Sequence, residues 1–238
     1  MNRLNLTHIR AMMWKEFVEG MRTSWFFIPL TIAFVVGMQY LPVAQILNNK
    51  EILPLQKGMF LAMIAIYLPV MTIPFFGNVI LFRSLYEERR QKSIHVLFAS
   101  GVSPLSVWTG KVFLVTLLSY LISVITFVVF WLSVKLYTGF SLVMTVRLWL
   151  LIMLVMPMAS IGILSLAAWS YWAFRNAAQL VGLLMPILTS LGIWNFSIYF
   201  GTSLSTSLVG LFSLIIGLVF IGGSMLGVKC LSKEHIAF

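Results

Sequence analysis

A chain of 238 residues that is 61% hydrophobic and 9% charged, with mean hydropathy +1.01, has too few charges to cover a water-facing surface, because a soluble domain of this size carries about 25%. Sixteen Lys and Arg stand against six Glu and no Asp, a net charge of +10. The bases are scattered between apolar spans, and no basic domain gathers them for a nucleic acid. The single cysteine, Cys230, excludes an internal disulfide and any cysteine-based metal cluster.

Residues Thr7–Thr23 read as an amphipathic helix. Ile9, Met13, Phe17 and Met21 recur at i, i+4 with Met12 beside them, while Arg10, Lys15, Glu16, Glu19 and Arg22 take the other faces. Such a helix suits the membrane interface, its bases near anionic headgroups, and Trp14 and Trp25 fit an aromatic belt. Six apolar windows cover Ser24–Leu41, Gly58–Phe82, Val112–Val134, Leu148–Trp172, Ala177–Trp194 and Leu208–Val228. Each is near or above the ~20 residues that cross a bilayer core. Helices are expected, because a spanning segment must satisfy its own backbone hydrogen bonds. The first window follows a charged segment and is long enough to span, so it reads as an uncleaved helix. The shortest window, Ala177–Trp194, is the weakest span and has a re-entrant alternative.

The bases orient these spans. Arg3, Arg10, Lys15, Arg22, Arg83, Arg89, Arg90, Lys92, Lys111, Arg175, Lys229 and Lys233 fall on one side, against Lys50, Lys57, Lys135 and Arg147 on the other, a ratio of 12 to 4. The positive-inside rule then puts both termini in the cytoplasm. The expectation is an all-α polytopic membrane protein. It has one transmembrane domain over 1–238, six transmembrane helices, an N-terminal interfacial helix over 7–23 and a cytoplasmic coupling segment over 83–111. The outer loops, Pro42–Lys57, Lys135–Arg147 and Asn195–Ser207, are short.

The segment from Arg83 to Lys111 carries the most specific pattern. A charge run over Glu87–Lys92 precedes an apolar stripe of Ile94, Leu97 and Phe98. A turn signal follows at Ser100-Gly101 and Pro104, then a second apolar start at Leu105. This describes a short helix between two membrane helices, offering an apolar face to a partner groove. The pattern resembles the permease subunit of type-2 ATP-binding cassette exporters, which carry Glu-x-x-x-Gly-Thr-Leu-Glu-x-Leu-Leu-x-x-Pro after their second helix and Gly-Lys at the start of the third. The chain matches at Glu88, Ser93 in the Thr position, Ile94, Leu97, Phe98, Gly110 and Lys111, and departs at Lys92, His95 and Gly101.

The resemblance implies a cytoplasmic coupling helix between helices 2 and 3 that seats in an ATPase subunit. Glu88, Ile94, Leu97 and Phe98 would make the coupling contact, and Arg89, Arg90 and Lys92 would orient it electrostatically. Partners would be two copies of an ATP-binding cassette ATPase, a second permease subunit that is the same or related, and membrane lipid, in the inner (plasma) membrane. ATP and Mg would be bound by the ATPase and no cofactor by this chain. Weaker candidates for the substrate pathway are Trp25, Phe26, Phe75, Phe76 and Asn78.

The missing chemistry narrows the function. No Glu lies deep in a window, which disfavours proton coupling through intramembrane carboxylates. His8, His95 and His235 fall in polar segments, no HExxH occurs, and no span contains a His to serve as base for a serine nucleophile. Gly110-Lys111 lacks the earlier Gly of a phosphate-binding loop, and Val112 replaces its Ser or Thr. Together with these absences, the resemblance implies a transporter subunit and not an enzyme, exporting an amphipathic substrate such as a peptide, drug or lipid-linked molecule. The alternatives are a non-transport membrane scaffold or immunity protein that binds a peptide or partner subunit, and, as a subtype of the first reading, a heme-exporter-like permease. Pro69, Pro74, Pro157 and Pro186 read as kinks, and Gly223–Gly227 and Ala33–Gly37 as close-packing positions within or between subunits.

Overall fold

The computed structural model describes residues 6–50, 53–91, 99, 101–174, 176–182 and 206–231. Among these the chain is predominantly helical and contains no strand. Helix α1 is Leu6–Ser24 and α2 is Phe27–Asn48. The rod α3 is built from Pro54–Ile64, Tyr67–Leu81, a π-helical Phe82–Glu87 and a closing turn Glu88–Arg90. Helix α4 is Pro104–Thr138, α5 is Val146–Ala173 with a π-helical stretch over Leu151–Val155, and α6 is Thr206–Cys230. Five segments are long and apolar enough to cross a membrane: Phe27–Asn48, Gln56–Arg90, Pro104–Thr138, Val146–Ala173 and Gly210–Cys230. This is the helical frame of a membrane protein.

Local chemistry sets the boundaries. Ser103 caps α4 by accepting from Ser106 N–H at 3.2 Å, with Pro104 in the first turn, and the helix stops at left-handed Gly139. Thr145 caps α5 by accepting from Leu148 N–H at 3.3 Å. Pro69 has no N–H for the Ala65 carbonyl four residues back. There α3 breaks: Ile66 N–H turns to Met63 O and Leu68 N–H to Ala65 O.

Three expected boundaries are corrected. Helix α2 runs through Pro42 to Asn48 and does not end at Leu41; membrane helices tolerate an internal proline. Helix α3 continues through Arg83 to Arg90 and α4 begins at Pro104, so both ends of the expected 83–111 loop are helical. Hydropathy marks where a helix leaves the apolar layer, whereas caps, Gly and Pro mark where it ends, and none stands between Phe82 and Arg90. The fifth window, Ala177–Trp194, lies largely outside the described residues.

The helices enclose two stacked apolar clusters. One contains Phe76, Leu81, Leu85, Trp108 and Trp172, the other Val35, Leu68, Phe130, Leu148 and Met156. Lipid tails are as apolar as Leu, so dispersion and close packing hold these clusters more than exclusion from water does. Hydroxyls buried on α4 are satisfied within the helix: Ser119 Oγ donates to Val115 O at 2.7 Å and Thr126 Oγ1 to Ile122 O at 2.8 Å.

The closest helix contact joins α5 and α6. A methyl at Gly162 would stand 2.6 Å from Gly217 Cα, and one at Gly217 would stand 2.6 Å from Met158 O. Gly210 lies beside Val155, and Gly227 lies under the Trp169 indole. Positions thus ascend together, so α5 and α6 run parallel. The chain therefore passes from the Ala173 end of the bundle back to the Thr206 end between these helices. Of the expected close-packing glycines, Gly227 packs within the subunit, while a methyl at Gly223 or Gly37 would meet nothing within 4 Å.

Gly162→Val or Gly217→Val is expected to force α5 and α6 apart. Overpacking a tight core costs about 1–3 kcal/mol or more, which reads as a lower melting temperature and loss of monodisperse protein in gel filtration. Gly223→Ala is expected to leave both measurements unchanged.

Candidate functional site

At one end of the bundle the last turn of α3, the start of α4, the end of α5 and helix α1 converge. Gly110 permits this approach: a Cβ there would lie 3.0 Å from Met12 Cβ and 3.1 Å from Ile9 O. With α1 lying directly on α4, Lys15 reaches the last turn of α3. Its Nζ donates to Glu88 Oε1 at 3.0 Å. From the opposite side Lys111 Nζ pairs with Glu88 Oε2 at 3.0 Å and donates to Ser84 O at 2.9 Å. One carboxylate thereby joins three helices.

Burial makes this cluster costly to disturb. The Lys111 side chain is 0% exposed, Glu88 14% and Lys15 39%. A buried ammonium is tolerated only when it is paired and its protons are hydrogen-bonded, and Glu88 with the Ser84 carbonyl supplies both. The outer pair, Arg83 with Glu87 at 3.8 Å, is exposed and contributes little.

Arg89 ties in the fourth helix. Its Nη1 donates to Tyr171 O and Trp172 O at 3.1 Å and to Phe174 O at 3.0 Å. These belong to the end of α5, where carbonyls lack helical donors and the helix dipole is negative. A guanidinium is well suited to this place. Deeper in the bundle, Tyr171 OH donates to Asn78 Oδ1 at 2.8 Å, and the Tyr171 ring lies against Phe82 and Tyr86 at 6.0 and 5.9 Å.

The structure therefore brings together Glu88 and Arg89 of the expected coupling residues, with Arg90 exposed beside them. Lys92, Ile94, Leu97 and Phe98 lie outside the described residues. The expected pathway residues are dispersed. Trp25 and Phe26 occupy the exposed turn between α1 and α2. Phe75 is exposed and stacks on Phe34 at 5.4 Å. Phe76 is in the core, and Asn78 fastens α3 to α5.

Lys15, Ser84 and Lys111 were not singled out as site residues by the sequence reading. The available signal was the setting of Lys111. It is a base followed by a long apolar run, with no acid three or four residues away, and such a group requires a distant counter-ion. Only six Glu exist to supply it.

No family model, curated protein or solved structure matches this chain. The functional reading therefore rests on the geometry and on the sequence pattern. The cluster offers no nucleophile–base pair. Among the described residues no group of three or more His, Cys, Asp or Glu is placed to hold a metal ion. What the arrangement provides is a fastening, in which α1, α3, α4 and α5 are joined at this end.

Glu88→Gln is expected to cost about 3–5 kcal/mol, the penalty for leaving a buried charge unpaired, read by thermal unfolding in detergent. The double variant Glu88→Gln/Lys111→Met is expected to recover part of that loss. A double variant less stable than the sum of the two single losses would contradict the pairing.

Proposed function

We propose that the chain is the membrane-spanning permease subunit of an ATP-driven exporter of the ATP-binding cassette type, working as a pair of permease subunits with two ATPase subunits. The observation that carries this reading is the Lys15–Glu88–Lys111 cluster with Arg89. It binds four helices directly before residues 92–98, the segment whose pattern resembles a coupling helix. A push delivered there reaches α1, α3, α4 and α5 at once. Leu97 and Phe98 are assigned the apolar contact with the ATPase, Ile94 supports them, and Arg90 and Lys92 steer docking. Glu88 and Arg89 pass the movement into the bundle.

The same reading puts the charged end of the bundle in the cytoplasm. Among the described residues that end carries Arg10, Lys15, Arg22, Arg83, Arg89, Arg90, Lys111 and Lys229, and the opposite end Lys50, Lys57, Lys135 and Arg147, eight against four. Helix α1 and the C-terminal end of α6 both stand at the charged end. The parallel course of α5 and α6 supports a return crossing between them and hence six spans. On this reading hydrolysis belongs to the partner, in keeping with Gly110-Lys111 lacking the earlier Gly and the Ser or Thr of a phosphate-binding loop. The spans are rich in aromatic, Met and small polar groups, and the buried Lys111–Glu88 pair stands at the charged end, where it fastens helices, which favours an amphipathic cargo over a small ion.

Reconstitution with the ATPase subunit in vesicles of defined orientation tests this. Cargo is expected to leave the nucleotide-exposed side only with hydrolysable ATP, and Leu97→Asp/Phe98→Asp is expected to abolish transport while membrane insertion persists. Accumulation towards the ATPase side, or undiminished transport by the double variant, would overturn the proposal.

A further inference from the structure

Two stretches of the bundle are π-helical, Phe82–Glu87 in α3 and Leu151–Val155 in α5. A π turn holds one residue more than an α turn and displaces the hydrogen-bond register, so a carbonyl near it loses its usual donor. In α3, Glu88 N–H turns to Leu85 O and not to Ser84 O four residues back. In α5, Met156 N–H reaches back to Leu151 O. The next residue, Pro157, has no N–H for Met153 O, four residues before it. Side chains of the same helix take Ser84 O, left by the changed register of α3, and Met153 O, left by Pro157 in either register. Lys111 Nζ donates to Ser84 O at 2.9 Å and Tyr120 OH to Met153 O at 3.0 Å.

The spacing of these donors suits that task. Lys111 and Tyr120 are nine residues apart on α4 (120 minus 111), which at 100° per residue places them on opposite faces, about 180° apart. One faces α3 and the other α5. In a lipid-surrounded bundle a carbonyl without a donor is strongly disfavoured, so the π-helical stretch of α3 depends on Lys111.

We propose that Lys111 is a latch through which α4 holds α3 in its π-helical register. Release of the Lys111 latch lets Phe82–Glu87 close to α-helical geometry. That closure turns the Glu88–Arg90 end by about 100° and shifts it by ~1.5 Å, one residue of an α-helix. Glu88 then leaves Lys15 and Arg89 leaves the carbonyls of α5. The same ammonium serves Glu88 and Ser84 O, so any partner or ligand that draws Glu88 away also loosens the latch. This device does not depend on the exporter reading.

The test uses the full chain with Cys230→Ser and spin labels at Arg90→Cys and Lys229→Cys, both exposed positions. Lys111→Met is expected to move the 90–229 distance by roughly 5–8 Å, the displacement of a helix-surface point turned through one residue. Lys111→Gln, which retains an N–H donor for Ser84 O, is expected to stay near the parent distance. Tyr120→Phe, which removes one hydroxyl from the opposite face of the same helix with almost no change of shape, is the control and is expected to keep the parent distance. A folded Lys111→Met protein with the parent distance overturns the latch. So does a folded Lys111→Gln protein with a displaced distance, which decides the proposal if Lys111→Met does not fold.

Discussion

The Lys111 ammonium is held inside the bundle with no exposed side-chain surface, and the organisation of the charged end follows from that constraint. A charge there requires a carboxylate, and Glu88 provides it at 3.0 Å. To present Glu88, α3 must continue as a helix past the end of its apolar run, through the π-helical Phe82–Glu87. Glu88 has a second oxygen, which Lys15 of α1 occupies, and Gly110 lets α1 come close enough for this. Arg89, the next residue, is thereby placed at the end of α5, where carbonyl oxygens accept its N–H groups. One buried charge thus accounts for the joining of four helices.

Elsewhere the bundle is held differently. Exclusion from water contributes little between lipid-immersed surfaces, so contact quality decides. The α5–α6 pair shows this in Gly162 and Gly217, whose missing side chains let the backbones touch. Prolines create the irregularities that the packing then satisfies. Pro69 coincides with the break at Ala65–Ile66, and Pro157 leaves Met153 O to the Tyr120 hydroxyl. Polar side chains inside this protein are therefore spent largely on backbone groups, a common solution where water is absent.

Much of the fold was legible in the sequence because period and length are strong signals. Five of the six apolar windows coincide with helices long and apolar enough to cross a membrane, and α1 covers the expected amphipathic stretch. Helix ends were less legible. A hydropathy window stops at Phe82, whereas nothing chemical stops α3 before Arg90, and Pro42 resembles a terminator but lies inside α2. The charged cluster was half legible. Glu88 and Arg89 stood out in the loop pattern, but their partners Lys15 and the carbonyls of α5 lie 73 and 82–85 residues away in sequence, and no local spacing rule connects such positions. The scattered aromatics Trp25, Phe26, Phe75 and Phe76 were grouped by residue type, which does not specify the face of a helix.

The central claim is that Glu88 is the common partner of α1 and α4. Carbodiimide activation in native membranes tests it directly, since this reagent joins a carboxylate to an amine only when the two touch and adds no spacer. The account predicts peptides in which Glu88 is joined to Lys15 by an amide bond. Glu88 that is activated by the reagent yet never found joined to Lys15 or Lys111 would contradict it.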